Sequence, residues 1–203
     1  MDLFRILFLA LWIGFYAAYL FKNLLLRRRG IRADILGKGG KSSGRAAFER
    51  LTKVATYSGA GIQLASVLFP AFVWSFPVFV GMQIGGGIVA ALGFSCFVAA
   101  MARMGLNWRA GFNAEQDTSL VTGGVYRWSR NPAFLGFDLL YLGWAVAFPN
   151  VVNIAFALVG VVLFHLQILG EERFCAEVFG GEYAVYRGVT RRYLGRKKRL
   201  MRG

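Results

Sequence analysis

The chain has 203 residues, 57% of them hydrophobic, and carries 24 Lys and Arg against 10 Asp and Glu, a net charge of +14. A soluble domain of this size does not need so much apolar surface. The basic residues lie between long apolar runs, which argues against a nucleic-acid partner and for an anionic lipid surface.

A transmembrane helix needs roughly 20 mostly apolar residues. Leu3 to Leu26 predicts the first, with Arg5 and Lys22 near its ends, where long side chains snorkel. The run is too long for a signal peptide and has no clear small-residue cleavage site. Residues 27–53 are polar and basic. A second span is expected from Val54 to Trp74 and a turn at Ser75 to Pro77. A third span follows from Val78 to Met101, with Gly85, Gly86 and Gly87 suited to close packing in lipid. Residues 102–132 are polar again. Ala133 to Phe148 and Val151 to Leu169 predict two more spans, joined by Pro149 and Asn150. The former is short, which local thinning or tilt accommodates. The chain is charged from Gly170 onward.

These elements predict an all-α polytopic membrane bundle of about five transmembrane helices. Every Lys and Arg except Arg5 falls in or beside residues 22–53, 102–132 or the tail, while the two short turns carry no charge. The positive-inside rule then puts the N-terminus outside and the C-terminus in the cytoplasm, with all large polar segments on one face. Cys96 and Cys175 are far apart, and their spacing predicts neither a disulfide nor a metal site.

The segment "TGGVYRWSRNPAFLG", Thr122 to Gly136, breaks the apolar pattern. Pro132 suits the first turn of a helix, and Asn131 is expected to cap it. The N–H groups of that turn favour an anionic group. Arg127 and Arg130 stand just before it. Their planar forks bind carboxylates, although anchoring to lipid headgroups explains the same pattern equally well. Glu171 and Glu172 follow the last apolar run directly. Two adjacent carboxylates there are unfavourable unless they meet a cation; taken alone, they read best as a solvated helix surface paired with the arginines of the tail, and otherwise as a ligand site. Gly180 and Gly181 are expected to end this helix. Tyr183 and Tyr186 then fall three apart on a short amphipathic helix. Asp138 and His165 lie inside the last two spans, where ionisable groups are costly and are functional candidates. Packing is the favoured reading of His165. Asp138 either pairs with an interfacial arginine or serves a polar acceptor.

In order, the chain presents Gly124, Tyr126, Arg130, Asn131, Pro132, Phe134 and Gly136, then two apolar spans, then Glu171, Glu172, Phe179, Gly180, Tyr183 and Tyr186. This order resembles the isoprenylcysteine carboxyl methyltransferase and phospholipid methyltransferase superfamily over about residues 100–193. "LVTGGVYRWSRNP" is similar to the form in its bacterial members, and Asn107-Trp108 also fits. The resemblance implies an integral membrane methyltransferase using S-adenosylmethionine, in a bacterial inner membrane with its site on the cytoplasmic face. It implies cofactor contacts at Tyr126, Arg130, Asn131, Pro132, Phe134, Gly136, Glu171, Glu172, Tyr183 and Tyr186. Arg130, Glu172 and Asp138 become the candidate catalytic residues. Residues 1–53 would be an N-terminal helix and basic cytosolic loop, and 54–203 the methyltransferase-like core, together one structural unit.

The cofactor's carboxylate suits arginine or helix N–H groups, its ammonium and ribose suit Glu171 and Glu172, and its adenine suits Tyr126, Trp128 or the tail tyrosines. The acceptor would be lipophilic or small: a carboxylate, which needs no base, or an amine or thiol, for which Asp138, His165 or a tail glutamate would serve. Asn131 stands where many members have His and Phe134 where many have Tyr. Arg191 to Leu194 replaces a proline-containing tail. A membrane sterol or enone reductase using NADPH has a similar Arg-His-Pro-Asn-Tyr stretch. Asn131, Phe134 and the paired glutamates argue against it. A non-catalytic membrane protein that kept the fold is the remaining alternative.

Overall fold

The computed structural model describes residues 2–38, 41–69, 76–109 and 119–197. Its helices are α1 (Leu3–Arg28), α2 (Ser43–Leu68), α3 (Val80–Met104), α4 (Pro132–Ala147) and α5 (Val151–Val189). Tight 3-10 turns occupy Gly105–Asn107 and Gly124–Arg127. Among the described residues there is no strand; Thr190 and Arg196 form an isolated bridge. The all-α membrane bundle expected from the sequence is what forms.

Helix α1, α3 with its following turn, and α5 are each long and apolar enough to cross a membrane. The 16-residue α4 is apolar but shorter. Helix α2 differs most from expectation. It starts at Ser43, inside the basic segment, and its Ser, Thr, Gly and Gln residues keep it below the hydropathy of the other long helices. The last part of the anticipated second span, and Ser75 of the turn after it, lie outside the described residues.

Each helix begins and ends for a local reason. Asp2 caps α1 by accepting from the Arg5 N–H at 3.0 Å, while Arg27 and Arg28 sit in its last turn, where cations favour the helix dipole. Pro132 opens α4, as expected. Asn150 caps α5 by accepting from the Asn153 N–H at 2.7 Å. Gly180 breaks α5 with φ +47°, a conformation that only glycine adopts readily, and the chain then resumes a helix that carries Tyr183 and Tyr186.

Helices α3 and α4 meet backbone to backbone. A Cβ on Gly86 would lie 2.5 Å from the Gly143 carbonyl oxygen, and one on Gly93 would lie 2.6 Å from that of Gly136. Small residues at such crossings replace the hydrophobic drive that lipid cannot supply. Of the glycine cluster at 85–87, only Gly86 makes this contact. Gly85 faces open space and Gly87 faces the Phe8 ring. Phe8 and Phe15 of α1 pack onto this pair: Phe15 stacks on Phe97 at 4.4 Å, and Phe8 meets Trp144 edge-on at 4.9 Å.

Residues 31–38 fold back between α1 and α2. Glu49, wholly buried, holds them by accepting from the Gly37 N–H at 2.8 Å and from Lys41 and Arg45. Lys53 pairs with Asp34 on the same segment. These contacts place the segment over a cavity that α1, α2, α4 and α5 surround.

Candidate active site

The cavity has a volume of about 410 Å³ and two chemically different sides. Trp12, Tyr16, Tyr19 and Tyr57 from α1 and α2 face it on one side, with Phe137 and Phe164 from α4 and α5. Arg130, Asn131, Glu171, Glu172, Tyr183 and Tyr186 face it where the 122–131 connector meets the tail.

The connector and the tail are stitched together by their backbones. The Arg130 N–H donates to the Arg191 carbonyl at 3.1 Å, the Gly195 N–H to that of Trp128 at 2.7 Å, and the Tyr186 hydroxyl to that of Tyr126 at 2.7 Å. Glu172 sits at the centre of this clasp, 8% exposed. Arg130 donates to its Oε1 from Nε at 3.0 Å and from Nη2 at 2.7 Å. The third Arg130 nitrogen, Nη1, donates to the Thr190 carbonyl at 2.6 Å. Arg192 donates to Oε2 from Nε at 3.1 Å and from Nη2 at 2.9 Å.

Asn131 does not cap α4 with its side chain. Its amide donates to Glu172 Oε1 at 3.1 Å and to the Arg192 carbonyl at 3.3 Å instead. Ser129 Oγ accepts from the Asn131 N–H at 3.1 Å. Asn131 thus stands at the N-cap of α4, as expected, but the capping bond expected of its side chain is absent, because the amide is oriented so that Nδ2 donates to the buried carboxylate and to the tail carbonyl.

The two adjacent glutamates have opposite surroundings. Burial alone would raise the Glu172 carboxyl, but hydrogen bonds from Arg192 and Arg130 outweigh it and hold its pKa below the usual value. Glu171, just beyond the apolar part of α5, lines the cavity and accepts from Gln167 Nε2 at 3.3 Å. Among the described residues it makes no ion pair within bridging distance. Burial pushes its carboxyl up to about 8. Neither glutamate belongs to a solvated helix surface.

Other anticipated residues divide in the same way. Tyr126, Tyr183 and Tyr186 are buried and line the cavity, as do Pro132 and Phe134, whose ring leans on Phe164 at 5.7 Å. Gly136 is buried against the α3 backbone. Asp138 is buried but does not line the cavity, and its Oδ1 has no hydrogen-bond partner among the described residues. His165 Nδ1 lies 2.7 Å from the Tyr193 hydroxyl, so that its ring joins α5 to the tail. Arg127 and Trp128 are exposed and outside the cavity lining. Cys96 and Cys175 are free thiols.

Sequence reasoning missed Arg192, which reaches Glu172 across 20 residues of chain, Ser129 and Thr190, whose bonds join the connector to the tail, and the whole α1–α2 wall. Trp12, Tyr16 and Tyr19 stand at helical spacing on one face, the signal from which that wall was legible.

A family model described as phospholipid methyltransferase matches residues 81–182, half of the chain. The chain belongs to the phospholipid methyltransferase family. Its match runs from α3 through Glu182, taking in the connector, Arg130, Glu171 and Glu172, but not α1, α2 or Arg192. Among curated proteins, this family member is 32% identical to protein-S-isoprenylcysteine O-methyltransferase of Schizosaccharomyces pombe over 127 residues, 59% of the chain and 51% of that relative. It is 40% identical to protein-S-isoprenylcysteine O-methyltransferase A of Arabidopsis thaliana over 75 residues, 36% of the chain and 38% of the relative. The Saccharomyces cerevisiae protein-S-isoprenylcysteine O-methyltransferase is 36% identical over 74 residues, 36% of the chain and 31% of the relative. The chain thus spans about half or less of the length of these relatives.

Proposed function

We propose that this chain is an integral membrane methyltransferase that uses S-adenosylmethionine and acts on a lipophilic or small acceptor. The observation that carries the reading is the two-sided cavity. Carboxylate, arginine and tyrosine groups meet at its connector–tail side, and an aromatic, mostly apolar wall that also carries Asp34, Thr52, Lys53 and Thr56 completes it.

The residues present fit the cofactor. Glu171 is a cavity carboxylate suited to an ammonium or a ribose hydroxyl. Tyr126, Tyr183 and Tyr186 offer ring surface to an adenine. The first turn of α4 at Pro132 offers N–H groups to a carboxylate. When bound, S-adenosylmethionine supplies an electrophilic methyl group. The chain's own contribution is positioning: the clasp around Arg130 and Glu172 fixes the polar side, and the aromatic wall holds an apolar acceptor in line and keeps water out. A carboxylate acceptor needs no base. An amine or thiol acceptor needs a base, a role that Glu171 does not fill while it holds the cofactor's ammonium. The S-isoprenylcysteine named for the relatives is an acceptor of the apolar kind this wall would hold.

The charge pattern supports a site on the cytoplasmic face, and in a bacterium this would be the inner membrane. Purified protein incubated with labelled S-adenosylmethionine and a membrane extract should yield a methylated product detectable by mass spectrometry. S-adenosylhomocysteine, and not NADPH, should raise its melting temperature. A shift with NADPH alone would assign the chain to the reductases, and no shift with either would make it a binding or structural protein.

A further inference from the structure

The family match ends at residue 182, yet one oxygen of the carboxylate at the centre of the clasp is held from beyond that boundary, by Arg192. Two places where the sequence departs from the motif it resembles are Asn131 and the run Arg191 to Leu194. In the structure they meet. The Asn131 amide donates both to Glu172 Oε1 and to the Arg192 carbonyl, and Ser129 Oγ also donates to that carbonyl, at 3.3 Å.

Five N–H donors converge on Glu172: two from Arg130, one from Asn131 and two from Arg192. An ionised carboxylate offers about four lone-pair sites. Glu172 therefore has no capacity left for a ligand. Glu171, next in the chain, lines the cavity and accepts one hydrogen bond, from the neutral amide of Gln167.

We propose that Arg192 is a positioning residue for the cofactor site: by completing the saturation of Glu172 it fixes the tail against the connector and leaves Glu171 as the carboxylate that meets the ligand's ammonium. The inference rests on the proposed use of S-adenosylmethionine. Arg192 touches no ligand itself, and its effect passes through Glu172. A lysine in its place keeps the charge but loses the planar fork that now spans Nε and Nη2.

The test is calorimetric titration of the purified full chain with S-adenosylhomocysteine. Wild type, R192A, R192K, E172Q and the R192A/E172Q double variant are compared, with the ligand-free melting temperature of each. Loss of a charged hydrogen-bonding group predicts about tenfold weaker binding in R192A. R192K should recover part of that loss, and the double variant should bind no worse than E172Q alone. Wild-type affinity in R192A, or losses that add in the double variant, would overturn the proposal. If R192A does not fold, R192K alone and combined with E172Q decides in the same way. A wild-type chain that binds no S-adenosylhomocysteine would overturn the cofactor reading and this proposal with it. That outcome is distinct from a binding wild type whose R192A variant is unaffected.

Discussion

Arg130 and Arg192 hold opposite oxygens of one carboxylate, Glu172, from the two ends of the site: Arg130 on Oε1 at 2.7 Å and Arg192 on Oε2 at 2.9 Å. Removing that carboxylate leaves two buried or half-buried guanidiniums facing each other. Glu172→Ala should therefore lower stability by about 3–5 kcal/mol, the cost of breaking a buried ion pair from one side. Arg130→Ala should weaken S-adenosylhomocysteine binding about ten- to a hundredfold. Melting curves and calorimetry read the two effects separately. Wild-type affinity in the arginine variant would remove Arg130 from the site.

The paired glutamates predict a pH dependence of ligand binding. The Glu171 carboxyl is raised to about 8, first by burial and then by the nearby Glu49, while the Gln167 hydrogen bond, Arg45 and Lys41 act in the other direction. At neutral pH it is largely protonated, so a cationic ligand must displace its proton. Affinity for S-adenosylhomocysteine should rise as pH increases from 6 toward about 8, with proton release visible across buffers of different ionisation enthalpy. Glu171→Gln should abolish the release. An unchanged pH slope in that variant would assign the proton to another group.

Stability without ligand follows the same two groups with opposite signs. Glu171 is raised, so its contribution is most favourable at low pH and declines as pH rises toward about 8. Glu172 is depressed, so its contribution is present above the unfolded glutamate pKa of about 4.3 and is lost as pH falls through its lower folded value. Glu172→Gln should remove the acid limb of the stability profile, as measured by melting temperature against pH.

Asp138 is buried yet does not line the cavity. Asp138→Asn should accordingly leave S-adenosylhomocysteine affinity and methyl transfer unchanged and act only on thermal stability. A fall in turnover at unchanged stability and affinity would return Asp138 to the chemistry.

Membrane orientation is checked by accessibility labelling. In a background with Cys96 and Cys175 replaced by Ala, single cysteines at Ser43 and Arg196 should react from the same side of the membrane. Labelling from opposite sides would contradict the charge-based topology.

How much of this was legible in the sequence depends on distance along the chain. Pro132 opening α4, the break at Gly180 and the start of α5 at Val151 are local events written in neighbouring residues, and they fall where expected. The long α2 was misjudged because its polar first turns look like loop until the buried Glu49 is seen to need them. The pairing of Glu172 with tail arginines was anticipated as a type of contact. Arg192 as the particular partner was not, since only the turn between Thr190 and Arg196 aims it back at α5. Gly136 belonged to a motif, and its motif position did not reveal that its neighbour would be a helix backbone.

The direct contact between the α3 and α4 backbones has an evolutionary corollary. Where Gly86 meets Gly143 and Gly93 meets Gly136, these two helices form a jig against which the connector and its arginine are registered, and a larger side chain there should be penalised whatever the substrate. The wall built by α1 and α2 lies outside the family match and lines the cavity. Its shape is therefore the part expected to differ between relatives. Acceptor range in such proteins should therefore be interchangeable by exchanging the first two helices between relatives, with cofactor use inherited from the remainder.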